Sequence, residues 1–212
     1  MTRIAVIDYG MGNLHSVARA LQQVAPQARV QVTSDPQTLR RADRVVFPGQ
    51  GAIGVCRREL ERLGLIEELL RATAERPFFG MCLGPQALMS FSEENGGTPG
   101  LAVLSGRVRR FPRDLAEGGV RLKVPHMGWN QVTQTLEHPL WAGIAQDAWF
   151  YFVHSYYLCP EQQQLVAGLT DYGMRFPSAI ARDNVFAVQF HPEKSARDGL
   201  RLLANFCSWE PG

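Results

Sequence analysis

Two short stretches of the chain hold residues whose types and spacing could do covalent chemistry: Gly80-Met81-Cys82-Leu83-Gly84 and His191-Pro192-Glu193. The first fits a glycine–x–nucleophile–x–glycine turn, placed where an apolar strand pattern ends and a helical pattern begins. So tight a turn strains the nucleophile's backbone, and the flanking glycines keep neighbouring side chains from colliding. A cysteine at a helix start meets the positive end of the dipole, which favours the reactive thiolate. The free backbone N–H of Leu83 can point at a developing oxyanion. Pro85 falls in the first turn of the expected helix, where its missing N–H would have had no partner. Taken alone, Cys82 also fits a buried core cysteine at a strand end.

A cysteine nucleophile needs a base, and the chain offers five histidines. His15 lies on an expected surface helix and His138 before a proline at a helix start; both read as structural. His191 follows the apolar run at residues 185–190 and precedes Pro192, which holds it extended. In an extended segment residues two apart face the same way, so His191 and Glu193 project together. Glu193 can then hold one imidazole nitrogen while the other faces a thiol, the nucleophile–base–orienter logic of a triad. The plain alternative is a loop histidine paired with its neighbouring glutamate. The two stretches together are far more specific than either one.

The elements that must position these residues are legible as alternation. Residues 4–7 read as a buried strand, and Asn13 could cap a helix over residues 14–24, where apolar residues recur at helical spacing. Val30 and Val32 mark a second strand and residues 43–47 a third. A helical stretch runs through Leu60, Leu63, Ile66, Leu69 and Leu70, and residues 77–81 form a fourth strand leading to Cys82. Strands alternating with helices through short connections predict a parallel sheet covered by helices. After the glycine-rich break at residues 95–100 the texture changes. Strand-like segments at 101–108, 131–135, 149–157, 165–169 and 185–190 follow one another, predicting antiparallel additions to the same sheet. Ser195 is the expected cap of a closing helix to about Trp209. The fold class is therefore α/β: a mostly parallel central sheet flanked by helices, with antiparallel additions in the C-terminal half. No internal repeat divides the chain, so residues 1–212 read as a single domain.

The formal net charge of +2 is too balanced for a nucleic-acid binder or a membrane-surface protein. Arg107, Arg109, Arg110 and Arg113 form one basic cluster, read as a solvated strand edge or a docking surface for an acidic partner. Cys56, Cys82, Cys159 and Cys207 show neither CxxC pairing nor His/Cys metal spacing. Neither a disulfide framework nor a metal site is expected, and free thiols point to a reducing compartment. No apolar stretch approaches the roughly 20 residues that span a bilayer, and the N-terminus has no signal-peptide architecture. A soluble, cytoplasmic protein without a cofactor is expected.

With these residues assembled, GMCLGPQ at 80–86 and FHPE at 190–193 resemble the two hallmark motifs of the class I, or triad, glutamine amidotransferases. Within that class, IDYGMGNLHSV at 7–17, PGQGA at 48–52, PHMGWN at 125–130, FVHSYY at 152–157 and QFHPEKS at 189–195 are similar to the glutaminase subunits of imidazole glycerol phosphate synthases. The resemblance covers essentially the whole chain. It implies that Cys82, His191 and Glu193 form the triad, and that Gln86, Glu94, His154, Ser155 and Tyr156 contact bound glutamine. It places Gly49 and Gln50 in a loop across the oxyanion site from the Leu83 N–H. Pro85 departs from the usual methionine, and Gln50 from the usual valine.

The implied chemistry is acyl transfer from the glutamine carboxamide through a thioester, releasing ammonia and glutamate. The implied partner is a (β/α)8-barrel synthase subunit in a heterodimer. It would use the ammonia to make imidazole glycerol phosphate and an aminoimidazole carboxamide ribotide. His126 and Trp129 would face that barrel, although a loop tryptophan also fits a core plug. Three rivals remain open. One is the glutaminase subunit of another synthase, for anthranilate or pyridoxal phosphate, and another is a catalytically silent regulatory relative. The third is a nucleotide-binding module on Gly10-x-Gly12, whose third glycine position is taken by His15.

Overall fold

The computed structural model describes residues 1–211. In chain order the first half runs β1 (Arg3–Ile7), α1 (Leu14–Val24), β2 (Arg29–Thr33), α2 (Pro36–Arg41), β3 (Arg44–Phe47), α3 (Ile53–Arg62), α4 (Ile66–Glu75), β4 (Phe78–Met81) and α5 (Leu83–Leu88). The second half begins with β5 (Met89–Ser92), β6 (Thr98–Pro99), β7 (Leu104–Arg110) and the small hairpin β8 (Ala116–Glu117) and β9 (Val120–Arg121). It continues through β10 (His126–Gln134), β11 (Ala148–His154), β12 (Tyr156–Pro160), β13 (Val166–Asp171), β14 (Arg175–Arg182) and β15 (Val185–Val188) to α6 (Ala196–Ser208).

The short apolar runs become strands of a sheet covered on both faces, which is why they are apolar without alternation. Ile4 and Val6 of β1 pack with Val17 and Leu21 of α1 and Leu202 and Phe206 of α6 on one face. Ala5 and Ile7 pack on the other face with Leu39, Ile53, Leu69 and Leu83 from α2, α3, α4 and α5. The main sheet has nine strands in the order β11-β10-β13-β14-β15-β4-β3-β1-β2. The run from β15 to β2 is parallel, and β14, β13, β10 and β11 are added antiparallel. Asn13 accepts a hydrogen bond from the Ser16 N–H at 3.3 Å, as expected of a cap for α1. No helix among the described residues is long and apolar enough to cross a membrane.

Several local expectations are corrected. The continuous strand expected over residues 149–157 is two strands of different sheets, broken at Ser155. β11 pairs with β10, whereas β12 pairs with β7 in a separate sheet of order β12-β7-β5-β6. β7, which carries Arg107, Arg109 and Arg110, is therefore not an edge strand. Arg109 pairs with Glu93 at 3.2 Å, and Arg107 lies over the Phe91 ring at 5.5 Å. The helical stretch through Leu60 and Leu70 is split into α3 and α4 by Gly64, whose φ of +67° ends α3. α2 was not foreseen, although its signal is present: Asp35 accepts from the Gln37 and Thr38 N–H groups, with Pro36 at the first helical position.

Candidate active site

β4 delivers Cys82 to the sheet's end, and the turn there is as tight as its glycines suggest. A Cβ on Gly84 would overlap the Phe47 carbonyl oxygen, and one on Gly80 would lie 2.9 Å from the Ala187 Cβ. Cys82 itself has φ 56° and ψ −94°, a strained conformation costing on the order of 1–3 kcal/mol. Both of its backbone groups are tied to the segment that carries the base. Its N–H donates to the Val188 carbonyl at 2.9 Å, and its carbonyl accepts from Gln189 Nε2 at 3.1 Å.

That segment leaves β15 and turns at Pro192. His191 Nδ1 meets Glu193 Oε1 at 2.9 Å, and both side chains are almost wholly buried. His191 Nε2 is buried without a hydrogen-bond partner. Burial alone would push the imidazole pKa down, but the adjacent Cys82 thiol and the Glu193 carboxylate override it, raising it to about 9. The site thus favours imidazolium, the form that balances a neighbouring thiolate and can give a proton to a leaving group. Ser195 does not cap α6 with its side chain. Its hydroxyl donates to the His191 carbonyl at 2.6 Å and accepts from the Tyr151 N–H at 3.0 Å, and the His191 N–H donates to the Tyr151 carbonyl at 2.9 Å. The His191–Ser195 turn is in this way stitched to β11.

Gln189 is a residue that reading the sequence did not single out. It is fully buried, and besides holding the Cys82 carbonyl it accepts from Gln86 Nε2 at 3.0 Å. The available signal was its polarity within an otherwise apolar strand run. Gln86, Glu94, His154, Ser155 and Tyr156 all line one cavity of about 600 Å³ together with Cys82. Glu94 also accepts from the Ile53 N–H at 2.7 Å, at the start of α3.

His154 is held as a neutral ring. The Tyr156 carbonyl can only accept, so His154 Nδ1 donates to it at 2.7 Å. His154 Nε2 must then accept from His126 Nδ1 at 2.9 Å, and His126 Nε2 accepts from Asn130 Nδ2 at 3.2 Å. Burial keeps both rings uncharged, lowering His126 to about 4 and His154 to about 3. His126, expected at a partner surface, is therefore a buried residue backing the cavity wall: inward-facing positions of β10 point at the core while its neighbours point out. Trp129 is exposed; it lies opposite Tyr151 on β11, and two pairs along, on the same face, Trp149 lies opposite Gln131.

The remaining piece is the segment after β3. The Leu83 N–H, the donor expected to face an oxyanion, is bonded to the Gly49 carbonyl at 3.3 Å. Gln50 and Gly51 line the cavity just beyond it.

A family model described as glutamine amidotransferase class-I matches residues 5–208. The chain belongs to the class I glutamine amidotransferases. Among the relatives of this amidotransferase is a Nitrosococcus oceani protein named imidazole glycerol phosphate synthase subunit HisH, 59% identical over 99% of this chain and 98% of that one. An Aromatoleum aromaticum protein of the same name is 58% identical over the full length of both. Among solved structures, a glutamine amidotransferase aligns with a TM-score of 0.71 at 18% identity, covering 96% of each chain. A glutamine amidotransferase from Thermotoga maritima aligns with a TM-score of 0.61 at 18% identity, covering 93% of this chain and 78% of its own. At such identities the two structures speak to the fold alone.

The amidotransferase has four free thiols in very different settings. Burial pushes Cys56 up to about 12 and Cys207 up to about 11, and raises Cys159 as well. None of these three lines the cavity that Cys82 shares with Gln86 and Glu94. A glutamine-mimicking electrophile is therefore expected to label Cys82 alone at neutral pH, since the thiolate is the attacking form. Peptide mass mapping checks this; label on another cysteine with Cys82 untouched would remove Cys82 from the chemistry.

Proposed function

We propose that this amidotransferase is the glutaminase subunit of an imidazole glycerol phosphate synthase, handing ammonia to a (β/α)8-barrel synthase subunit in a cytoplasmic heterodimer. The observation that carries the reading is the junction of a strained Cys82 with a buried His191 held by Glu193 at 2.9 Å. Relatives of that name match the chain end to end.

The Cys82 thiolate attacks the carboxamide carbon of a glutamine seated between Gln86, Glu94 and the 154–156 segment. The electron pair moves to oxygen, and backbone N–H groups hold the resulting oxyanion. His191 gives its proton to the departing ammonia, leaving a thioester on Cys82. Neutral His191 then takes a proton from water, whose attack releases glutamate and restores the thiol. Glu193 fixes the ring so that Nε2 faces sulfur and supports its positive charge.

The Leu83 N–H bonded to Gly49 represents a closed oxyanion site. Turning the Gly49–Gln50 peptide over would free that donor and aim the Gln50 N–H at the same point. Met127, Trp129 and Trp149 are large apolar side chains, 61%, 49% and 52% exposed. They stand on the outer face of the β10–β11 ribbon, where Met127 also lines the cavity mouth. Exposed aromatic anchors of this kind suit a docking face. The test is to mix the chain with the synthase partners of the imidazole glycerol phosphate, pyridoxal phosphate and anthranilate enzymes. Stable assembly and glutamine-dependent product are expected with the first alone. Assembly with one of the others would reassign the acceptor.

A further inference from the structure

The hydroxyl of Tyr9 is a buried polar group that the triad does not use. Tyr9 follows β1, is wholly buried, and its Oη has no hydrogen-bond partner. It is packed against the oxyanion segment: a Cβ on Gly49 would overlap the Tyr9 hydroxyl and lie 3.1 Å from the Leu83 Cβ. The same turn bears on the rest of that segment. A Cβ on Gly12 would lie 3.5 Å from the Gly49 Cα, and a Cβ on Gly51 would overlap the end of Met11. The Tyr-Gly-Met-Gly stretch at residues 9–12, which had suggested a nucleotide loop, is thus the bed on which residues 49–51 lie.

We propose that the Tyr9 hydroxyl receives the Gly49 carbonyl when the Gly49–Gln50 peptide turns over, making Tyr9 a positioning residue that sets the balance between closed and open oxyanion sites. The proposal rests on the reading of that peptide as the switch. In the closed arrangement the Gly49 carbonyl is satisfied by the Leu83 N–H at 3.3 Å, whereas the Tyr9 hydroxyl has no well-formed hydrogen bond and only the weakly bonding Cys56 thiol beside it. Rotation breaks the first bond and would leave a buried carbonyl unpaired, which is costly. A hydroxyl already seated against the Gly49 Cα is within reach of a carbonyl anchored on that atom. The rotation therefore removes one orphan instead of creating one, and it leaves the Leu83 and Gln50 N–H groups free for substrate. Burial, and then the neighbouring Cys56 and Cys82, hold the phenol pKa well above its ordinary value, so its proton is retained for donation.

The experiment is Tyr9→Phe in the chain assembled with its synthase partner and the ligand of that partner. Glutamate release is expected to fall about tenfold in kcat, the scale of one lost buried hydrogen bond, with KM for glutamine unchanged. Alkylation of Cys82 by iodoacetamide displaces iodide without forming an oxyanion, and its rate should not change. The melting temperature should not fall, because the hydroxyl removed makes no well-formed hydrogen bond in the closed state, only a contact with the weakly bonding Cys56 thiol. Full turnover by the variant, with the wild type stimulated by its partner, overturns this proposal and leaves the switch standing. A melting temperature and an alkylation rate that fall together overturn it too, since the hydroxyl would then be a structural prop. A wild-type chain that its partner does not stimulate overturns the switch, and this proposal with it.

Discussion

Cys82→Ala will abolish glutamine-dependent synthesis in the assembled enzyme while synthesis from added ammonium salts survives. The loss should be large, because removing the nucleophile of a triad typically costs on the order of 10⁴–10⁶ in turnover. The survival follows from what Cys82 contributes to the fold. Its hydrogen bonds at the turn are backbone bonds, from its N–H to Val188 and to its carbonyl from Gln189. Alanine keeps both, and it occupies the same positive φ at about the same strain. The exposed face of β10 and β11 is untouched, so the partner should still dock and draw ammonia from solvent. The check is paired initial rates, with glutamine and with ammonium at a pH that leaves free ammonia present. Loss of both activities would make Cys82 a structural residue and the triad reading wrong.

The residues of the candidate site were legible because their geometry is local. Gly80 to Gly84 are consecutive, and His191 and Glu193 are only two residues apart, although the chain between them is not extended as expected: Pro192 opens a single 3₁₀ turn over Pro192–Lys194, and it is this turn that brings Glu193 back to the extended His191. The parallel half of the sheet was legible for a related reason: residues 45–47 and 78–81 are apolar or glycine on both faces and lie beside turn-forming prolines and glycines. What could not be read depends on register between distant segments. Nothing near Ser155 says that the chain leaves one sheet there for another, since both halves of residues 149–157 are good strand sequence. Whether His126 faces in or out depends on a single-residue phase along β10, which is set by its pairing with β11. The same dependence hid the Gln86–Gln189–Cys82 chain, whose members lie 103 and 107 residues apart. It also hid the Tyr9 hydroxyl beneath Gly49. Sequence periodicity reports which faces are buried, not which buried polar atoms meet.

The isolated chain will be a poor glutaminase, switched on by the synthase subunit carrying its own ligand. Ammonia freed into solvent at neutral pH is mostly protonated and lost as a nucleophile, and idle hydrolysis consumes glutamine without product. The switch proposed at the segment after β3 would prevent this. His191 is already fixed by Glu193 at 2.9 Å, so the proposed switch does not lie in that pair. It lies at the Leu83 N–H, which the Gly49 carbonyl occupies at 3.3 Å. Loss of one oxyanion donor typically costs about 10²–10³ in rate, and the Gly49 carbonyl withholds the Leu83 N–H. A push on residues 49–51 that breaks this bond would free the Leu83 donor. Gln50 and Gly51 line the same cavity as Met127 of the exposed β10–β11 face, which gives a docked partner a short path to that push. Stimulation should therefore be at least of the order of one lost donor, about 10²-fold or more, and should appear in kcat more than in KM. Steady-state glutamate release by the chain alone, with the synthase partner, and with that partner plus its ligand measures it. A lone chain that turns over as fast as the liganded complex would show that the Gly49–Leu83 bond is no barrier and that the partner is not needed for hydrolysis.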